Sequence, residues 1–250
     1  METYFAREYP GTPFRFFSPA HRVALLVVVL VNLVLFLLRR TPPRPCPVVR
    51  NGLATVLIVN EGAWHAWNWK TGQWDVQTML PLHLCSASVF LSTIMLVTRS
   101  YALYEVLYFM GIGGALQALL TPDLMQYGFP HFRFFQTFLS HGALVTAPVY
   151  MTVVEGYRPT PRSVARVLVG LNLCLLPVAV LNRAIGSNYL FIARKPDMPT
   201  LLDVLGPWPW YILSMQAIGA GVVLVLYLPF AFRDWQRKNG ASRRSVKSDE

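Results

Sequence analysis

Long apolar stretches separated by short polar connections dominate the pattern of this 250-residue chain. A helix needs about 20 mostly apolar residues to cross a bilayer, and several stretches reach that length. The predicted spans cover residues 23–38, 51–69, 80–98, 101–120, 134–154, 163–182 and 208–230. The pattern therefore predicts an all-α, polytopic membrane protein with seven transmembrane helices.

The segments at the two ends of the chain differ in composition from the spans. Residues 1–20 contain three prolines and several aromatic residues, which favours an arm at a membrane interface. Residues 21–230 form the predicted seven-helix domain. Residues 231–250 are charged and rich in serine, which predicts a basic, disordered cytoplasmic tail.

The distribution of positive charge predicts how the chain is oriented in the cell membrane. Fourteen of the twenty-two lysines and arginines fall on the C-terminal side of the predicted topology, including Arg39, Arg40 and Arg44 in the first loop. Because cytoplasmic loops carry the excess of positive charge, we expect the N-terminus outside and the C-terminus in the cytoplasm. The formal charge of +10 lies mainly in loops and the tail, which indicates topology rather than nucleic-acid binding.

With this topology, polar side chains gather in the outer half of the membrane or on its outer surface. The set comprises Glu61, His65, His83, Cys85, Asp123, His131, Gln136, His141, Asn182 and Asn188. Polar groups at membrane depth are costly and usually face one another or a cavity. A polar cavity that opens toward the outer leaflet is therefore predicted.

A thiol and an imidazole are predicted to face this cavity at similar depths. Cys85 lies ~8–10 Å and His141 ~7–12 Å beyond the predicted start of its helix, which is the depth of lipid carbonyls. An adjacent base can convert a cysteine into a thiolate nucleophile. The alternative interpretations are a small buried hydrophobic residue for Cys85 and a hydrogen bond between helices for His141.

Five further residues are candidates for binding a substrate. Glu61 and His65 share a helix face, either as a buried polar pair or, with a third ligand, as a zinc site. Asn182, Asn188 and Tyr189 are donors for an oxyanion or a phosphate headgroup, or else they cap the loop. No cofactor and no metal are included in the preferred interpretation.

Four sequence runs resemble the YwaF-like integral membrane family over about residues 20–230. They are Leu80-Pro81-Leu82-His83-Leu84-Cys85, Phe129-Pro130-His131-Phe132-Arg133 leading to His141, Asn182 with Asn188-Tyr189, and Gly206-Pro207-Trp208-Pro209-Trp210-Tyr211. The family is similar to an animal transmembrane acyltransferase that moves acyl chains from phosphatidylcholine to ether lysophospholipids. That resemblance implies a cysteine acyl carrier at Cys85 and a histidine at His141. A more distant resemblance is to hydrolases of fatty-acid esters of hydroxy fatty acids, which use threonine with histidine. This chain has Cys85 at the candidate nucleophile position, which favours the acyltransferase pattern.

The sequence hypothesis is acyl transfer between membrane phospholipids and lysophospholipids through a Cys85 thioester, with His141 as the base. Two alternatives stay open. One is a non-catalytic protein that binds or transports a lipid or small molecule. The other is a zinc-dependent lipid hydrolase, which is disfavoured because no two histidines of this chain are four residues apart.

Overall fold

The computed structural model describes residues 2–39, 46–196 and 201–248. Within these residues the chain forms seven α-helices and no β-strand, which confirms the all-α prediction. The helices are α1 (Pro19–Leu38), α2 (Pro47–Lys70), α3 (Leu84–Thr98), α4 (Tyr101–Leu120), α5 (Phe132–Val153), α6 (Pro161–Ile185) and α7 (Trp210–Ser248). The predicted basic residues Arg40 and Arg44 lie outside the described residues.

Local sequence explains where several helices begin. A proline occupies the first turn of α1, α2 and α6, where its missing N–H costs no hydrogen bond. The Ser18 and Ser100 side chains accept hydrogen bonds from the first turns of α1 and α4. Thr160 and Ser163 form a reciprocal capping box at the start of α6. These polar residues interrupt the apolar pattern at the helix starts.

Several helix boundaries differ from the sequence prediction, most of them by two to four residues, and the differences at α3 and α7 have the largest consequences. The third helix begins at Leu84 rather than at residue 80, because residues 80–83 form a turn that contains Pro81. The seventh helix continues past residue 230 to Ser248, through a segment for which a disordered tail is predicted. The division of the chain into an arm, a membrane domain and a tail stays a prediction.

Four helices in the described part of the chain are long and apolar enough to cross a membrane. They are Pro19–Leu37, Tyr101–Leu120, Pro161–Ile185 and Trp210–Arg237. Helix α3 has only 15 residues, whereas a span takes about 20, and α2 and α5 carry more polar side chains. Seven spans and their orientation therefore stay a prediction.

Helices α4 and α5 lie at the centre of the bundle. Helix α5 packs against α1, α2, α3 and α4, and α4 also contacts α6 and α7. Small residues permit this packing, since a Cβ added at Gly111 of α4 would lie only 3.4 Å from the Leu144 carbonyl oxygen of α5. The result is that α2, α3 and α5, which carry most of the polar candidates, form one contiguous group.

The two ends of the bundle have different chemistry. One end, where α2, α4 and α6 end and α3, α5 and α7 begin, holds the histidines, and we call it the histidine end. There His21 Nε2 donates to the Leu119 carbonyl at 2.9 Å and His131 Nε2 donates to the Ala6 carbonyl at 3.0 Å. We call the opposite end, which holds Arg50, Arg158 and Arg166, the arginine end; each of these arginines is paired with a carboxylate.

Candidate functional site

Cys85 is the second residue of α3, at the histidine end. Its side chain is half-buried and packs against the main apolar core. The sulfur lies 3.9 Å from the position that a Cβ at Gly114 of α4 would occupy. The late start of α3 corrects the predicted depth, because Cys85 now lies only ~1.5 Å along its helix.

His141 lies nine residues after the first residue of α5, ~13 Å along the helix axis. Its Nδ1 is 2.8 Å from the Thr137 carbonyl oxygen. A carbonyl oxygen only accepts, so Nδ1 carries the proton and the neutral ring presents Nε2 as a proton acceptor. This is the tautomer that a general base on Nε2 requires.

Helices α3 and α5 are in contact, so the thiol and the imidazole lie on neighbouring elements. Within the described residues, no hydrogen bond joins Cys85 to His141. If the two residues act together, the sulfur must come within ~4 Å of an imidazole nitrogen or be bridged to it by one water. The assignment of both residues to catalysis stays a prediction.

Glu61 and His65 form a pair on α2. Glu61 is buried, with a side-chain exposure of 6%, and its Oε1 lies 3.6 Å from His65 Nε2. The Trp74 indole donates to His65 Nδ1 at 3.1 Å, so the proton of the neutral ring is on Nε2 and faces the carboxylate. The Glu61 charge also acts on the Cys85 thiol and on Arg133. Glu61 is thus the α2 carboxylate whose charge affects both the thiol of α3 and the guanidinium of α5.

The other three predicted binding residues use their polar groups within the protein. Asn182 Nδ2 donates to the Tyr189 carbonyl at 2.9 Å, and its Oδ1 accepts from the Tyr189 N–H at 2.8 Å and from the Ser187 hydroxyl at 2.7 Å. Asn188 Oδ1 accepts from the backbone N–H of Ala193 and Arg194. These hydrogen bonds match the loop-capping alternative.

Tyr189 is fully buried and connects this loop to the turn before α3. Its hydroxyl donates to the Val76 carbonyl at 2.6 Å and accepts from the Leu80 N–H at 2.9 Å. Its ring lies 5.1 Å from that of His83, which precedes Cys85 by two residues. Tyr189 therefore holds the segment from which α3 and Cys85 start.

Among the residues that the structure describes, no three His, Cys, Asp or Glu side chains are grouped so as to hold a metal ion. Glu61 and His65 supply two possible ligands of the zinc alternative, and no third residue of these types joins them.

One functional candidate at this end is absent from the predicted site. The Arg133 guanidinium, in the first turn of α5, lies 3.8 Å from the centroid of the Trp64 ring and donates to Gln136 Oε1. Asn60 of α2 donates to the Gln136 carbonyl at 3.0 Å, which holds α2 and α5 together beside it. In the sequence, Arg133 belongs to the run Phe129-Pro130-His131-Phe132-Arg133 and to the count of positive charges, but neither of these predicts its contact with Trp64.

The chain is similar to known proteins in its sequence. The model of the TMEM164 family matches residues 16–227, which include every helix from α1 to α6 and most of the apolar part of α7. The chain belongs to the TMEM164 family. This family consists of membrane proteins, and together with the four apolar helices the membership makes the chain a multi-pass membrane protein.

One relative of this TMEM164-family chain is an uncharacterized protein of Treponema pallidum (strain Nichols). It is 30% identical over 151 residues, which cover 60% of this chain and 62% of the relative. The matched stretch thus spans less than two thirds of the relative's length. No solved structure matches the chain.

Proposed function

We propose that this TMEM164-family protein transfers acyl chains between membrane phospholipids and lysophospholipids through a thioester on Cys85, with His141 as the base. The observation that carries the proposal is the His141 hydrogen bond to Thr137, which leaves Nε2 as a proton acceptor on a helix packed against α3. The YwaF-like resemblance, with its acyltransferase relative, gives the same two residues these roles. No cofactor is required for this chemistry.

The reaction has two half-steps of the same kind. His141 takes the Cys85 thiol proton, and the thiolate attacks the carbonyl carbon of a phospholipid ester. The ester C–O bond breaks, the lysophospholipid leaves with the proton from His141, and a thioester remains on Cys85. The hydroxyl of a second lysophospholipid then gives its proton to His141 and attacks the thioester carbonyl carbon. The C–S bond breaks, the new phospholipid leaves, and the Cys85 thiolate takes the proton back from His141.

One feature of the surroundings of Cys85 favours these steps. The thiol lies in the first turn of α3, where the backbone N–H groups stabilise a developing negative charge. The Glu61 carboxylate opposes a negative charge on the thiol rather than favouring it. We assign Glu61 and His65 of α2 to contacts with the bound lipid. Asn182, Asn188 and Tyr189 are assigned to shaping the loop beside His83 rather than to binding a headgroup directly.

The proposed topology has seven spans, with the histidine end in the outer half of the membrane. It is supported by the excess of arginine and lysine on the side of the arginine end. A reporter fused to the C-terminus is expected to be active only in the cytoplasm, and an N-terminal tag to be accessible from outside. An extracellular C-terminus would place the candidate site in the inner leaflet instead.

The decisive experiment is mass spectrometry of the purified protein after incubation with phosphatidylcholine carrying a labelled acyl chain. We expect one labelled acyl group on the peptide that contains Cys85, and its removal by hydroxylamine, which cleaves thioesters. Cys174→Ala, which changes an exposed cysteine of α6, is the matched control and should keep the label. A folded protein that turns over lipid without acylation of Cys85 contradicts the covalent mechanism.

Lipid binding without catalysis is the second candidate, favoured by an apolar groove between α4 and α7. The groove has a volume of about 470 Å³ and is lined by Gly113, Leu116, Ile218, Gly221, Val222, Val225 and Leu226. Both helices are among the four apolar ones, so lipid chains are the surroundings of this groove. A protein that retains bound lipid but never carries an acyl group on Cys85 fits this candidate.

A further inference from the structure

Arg133 is a partly buried cation without a carboxylate partner within the described residues. Arg50, Arg158 and Arg166 each form an ion pair, at 3.3, 2.7 and 2.7 Å respectively. The Arg133 guanidinium instead lies over the Trp64 ring and donates to the neutral amide of Gln136. A buried charge is costly unless a counterion or hydrogen bonds compensate it, so this position suits an anion supplied from outside the protein.

The surroundings hold the guanidinium in place for such an anion. Its cation–π contact with Trp64 fixes the plane of the fork, and Gln136 occupies one of its five N–H donors. Arg133 also lies in the first turn of α5, where the helix dipole adds positive potential. The remaining donors match two oxygens of a phosphate group.

Nearby acidic groups restrict which phosphate fits. The carboxylates of Asp123 and Glu61 act on Arg133 at longer range than an ion pair. Their negative charge disfavours a doubly charged free phosphate more than the singly charged phosphodiester of a phospholipid. Because the chain is a membrane protein and Cys85 lies on a helix adjoining α2 and α5, a lipid headgroup is the available ligand of this kind.

We infer that Arg133, held over Trp64, binds the phosphodiester of the lipid substrate and so positions its ester bonds relative to Cys85. This inference rests on the proposed function in one respect, because only the proposed function makes the bound lipid a substrate. The binding itself does not depend on catalysis. Arg133 is therefore a positioning and headgroup-binding residue rather than a catalytic one.

The test is equilibrium binding of two radiolabelled lipids with the same acyl chain to Cys85→Ala protein in detergent. Lysophosphatidylcholine carries the phosphodiester, whereas monoacylglycerol lacks it. When Arg133→Met is added to the Cys85→Ala protein, binding of lysophosphatidylcholine should weaken about tenfold or more. The reason is that charge-assisted hydrogen bonds are stronger than neutral ones. Binding of monoacylglycerol should change less than twofold, and Arg133→Lys should restore part of the loss.

Arg194→Met is the matched control, because it removes an exposed positive charge at the same end while the Arg194 backbone contacts to Asn188 remain. It should leave binding of both lipids unchanged. If Arg133→Met does not fold, Arg133→Lys decides the question, since loss of the bidentate fork should still reduce the preference for lysophosphatidylcholine. Equal weakening of both lipids would indicate a purely structural role and overturn the inference.

Two further outcomes separate the possible ligands and the two proposals. Inorganic phosphate that competes as strongly as lysophosphatidylcholine would identify a free anion as the ligand and overturn the lipid assignment. If wild-type protein transfers no acyl group but the phosphate preference depends on Arg133, the chemistry fails and the headgroup site stands. If transfer occurs and Arg133→Met leaves the KM for the lysophospholipid acceptor unchanged, the headgroup site fails and the chemistry stands.

Discussion

The arginine end and the histidine end each bury a glutamate, but they compensate its charge differently. At the arginine end, the Glu105 side chain accepts a hydrogen bond from the Ser163 hydroxyl at 2.5 Å and pairs with Arg166 at 2.7 Å. Glu155 there likewise pairs with Arg50 at 3.3 Å and accepts from the Tyr150 hydroxyl at 3.2 Å. Each carboxylate is matched by a cation within the protein.

The histidine end lacks this matching. Among the described residues, Glu61 forms no ion pair other than the 3.6 Å contact with His65, and Arg133 has a ring and an amide as its partners. A buried charge that is paired within the protein stabilises a particular arrangement of helices. A buried charge without such a partner can instead form its ion pair or hydrogen bonds with a ligand. The difference fits an arginine end that fixes the bundle and a histidine end that holds the proposed site.

The largest expected effect is the loss of acyl transfer in Cys85→Ala. A nucleophile that forms the covalent intermediate has no substitute, so transfer should fall by at least on the order of 10⁴-fold. Cys46→Ala at the arginine end is the matched control, because Cys46 is also half-buried and its hydrogen bonds with the Tyr150 hydroxyl use its backbone. The assay is transfer of a labelled chain from phosphatidylcholine to lysophospholipids in proteoliposomes. If Cys85→Ala and Cys46→Ala lost acyl transfer to a similar extent, the functional distinction between the histidine end and the arginine end would be wrong.

His141→Gln is expected to reduce transfer by about 10²–10⁴-fold, the usual contribution of a general base. The glutamine side chain can keep a polar contact with the Thr137 carbonyl but cannot accept the thiol proton. The rate of labelling of Cys85 by a thiol-specific reagent should fall as well, because less thiolate forms. Unchanged turnover in a folded His141→Gln protein would assign the imidazole to helix packing alone.

Glu105→Gln and Glu61→Gln form a matched pair that tests stability. Glu105→Gln leaves Ser163 and Arg166 without their charged acceptor, so the free energy of unfolding should fall by about 1–3 kcal/mol. Glu61→Gln removes only a long contact with His65, so its effect on the melting temperature should be clearly smaller. The measurement is thermal unfolding in one detergent. A larger destabilisation by Glu61→Gln would reverse the assignment of the two ends.

The smallest expected effect is a pH dependence of stability at the start of α5. Burial lowers the pKa of His131 below its ordinary value of 6.5. Its Nδ1 also accepts from the Arg133 N–H at 3.1 Å, which a protonated ring cannot do. The unfolded chain therefore binds this proton more readily, and stability should fall as the pH drops below 6.5.

His131→Asn tests this dependence, because asparagine keeps an acceptor for the first turn of α5 but does not titrate. The slope of the melting temperature against pH should become shallower in the variant. Part of the slope should remain, since burial also lowers the pKa of His83 before α3. An unchanged slope would assign the acid sensitivity of the histidine end to other groups.

The apolar pattern was sufficient to predict the seven helices. Their ends are marked by residues that cannot continue an apolar helix or that cap one, such as Pro161 and the Thr160 and Ser163 box. The start of α3 was misplaced by four residues, because Leu80 and Leu82 are apolar although they lie in a turn beside Pro81. Hydropathy measures burial and not backbone conformation, so it cannot separate a buried turn from a helix.

The sequence by itself determined that the chain is helical, lies in a membrane and carries a thiol and an imidazole on separate helices. Length and apolarity suffice for this, since they act within one segment. Only the tertiary structure decided which polar groups compensate one another. Glu105 and Arg166 lie 61 residues apart and pair, whereas Arg133 ends over Trp64 with no carboxylate partner among the described residues. Such pairing depends on the rotation and packing of whole helices, which no local pattern in the chain encodes.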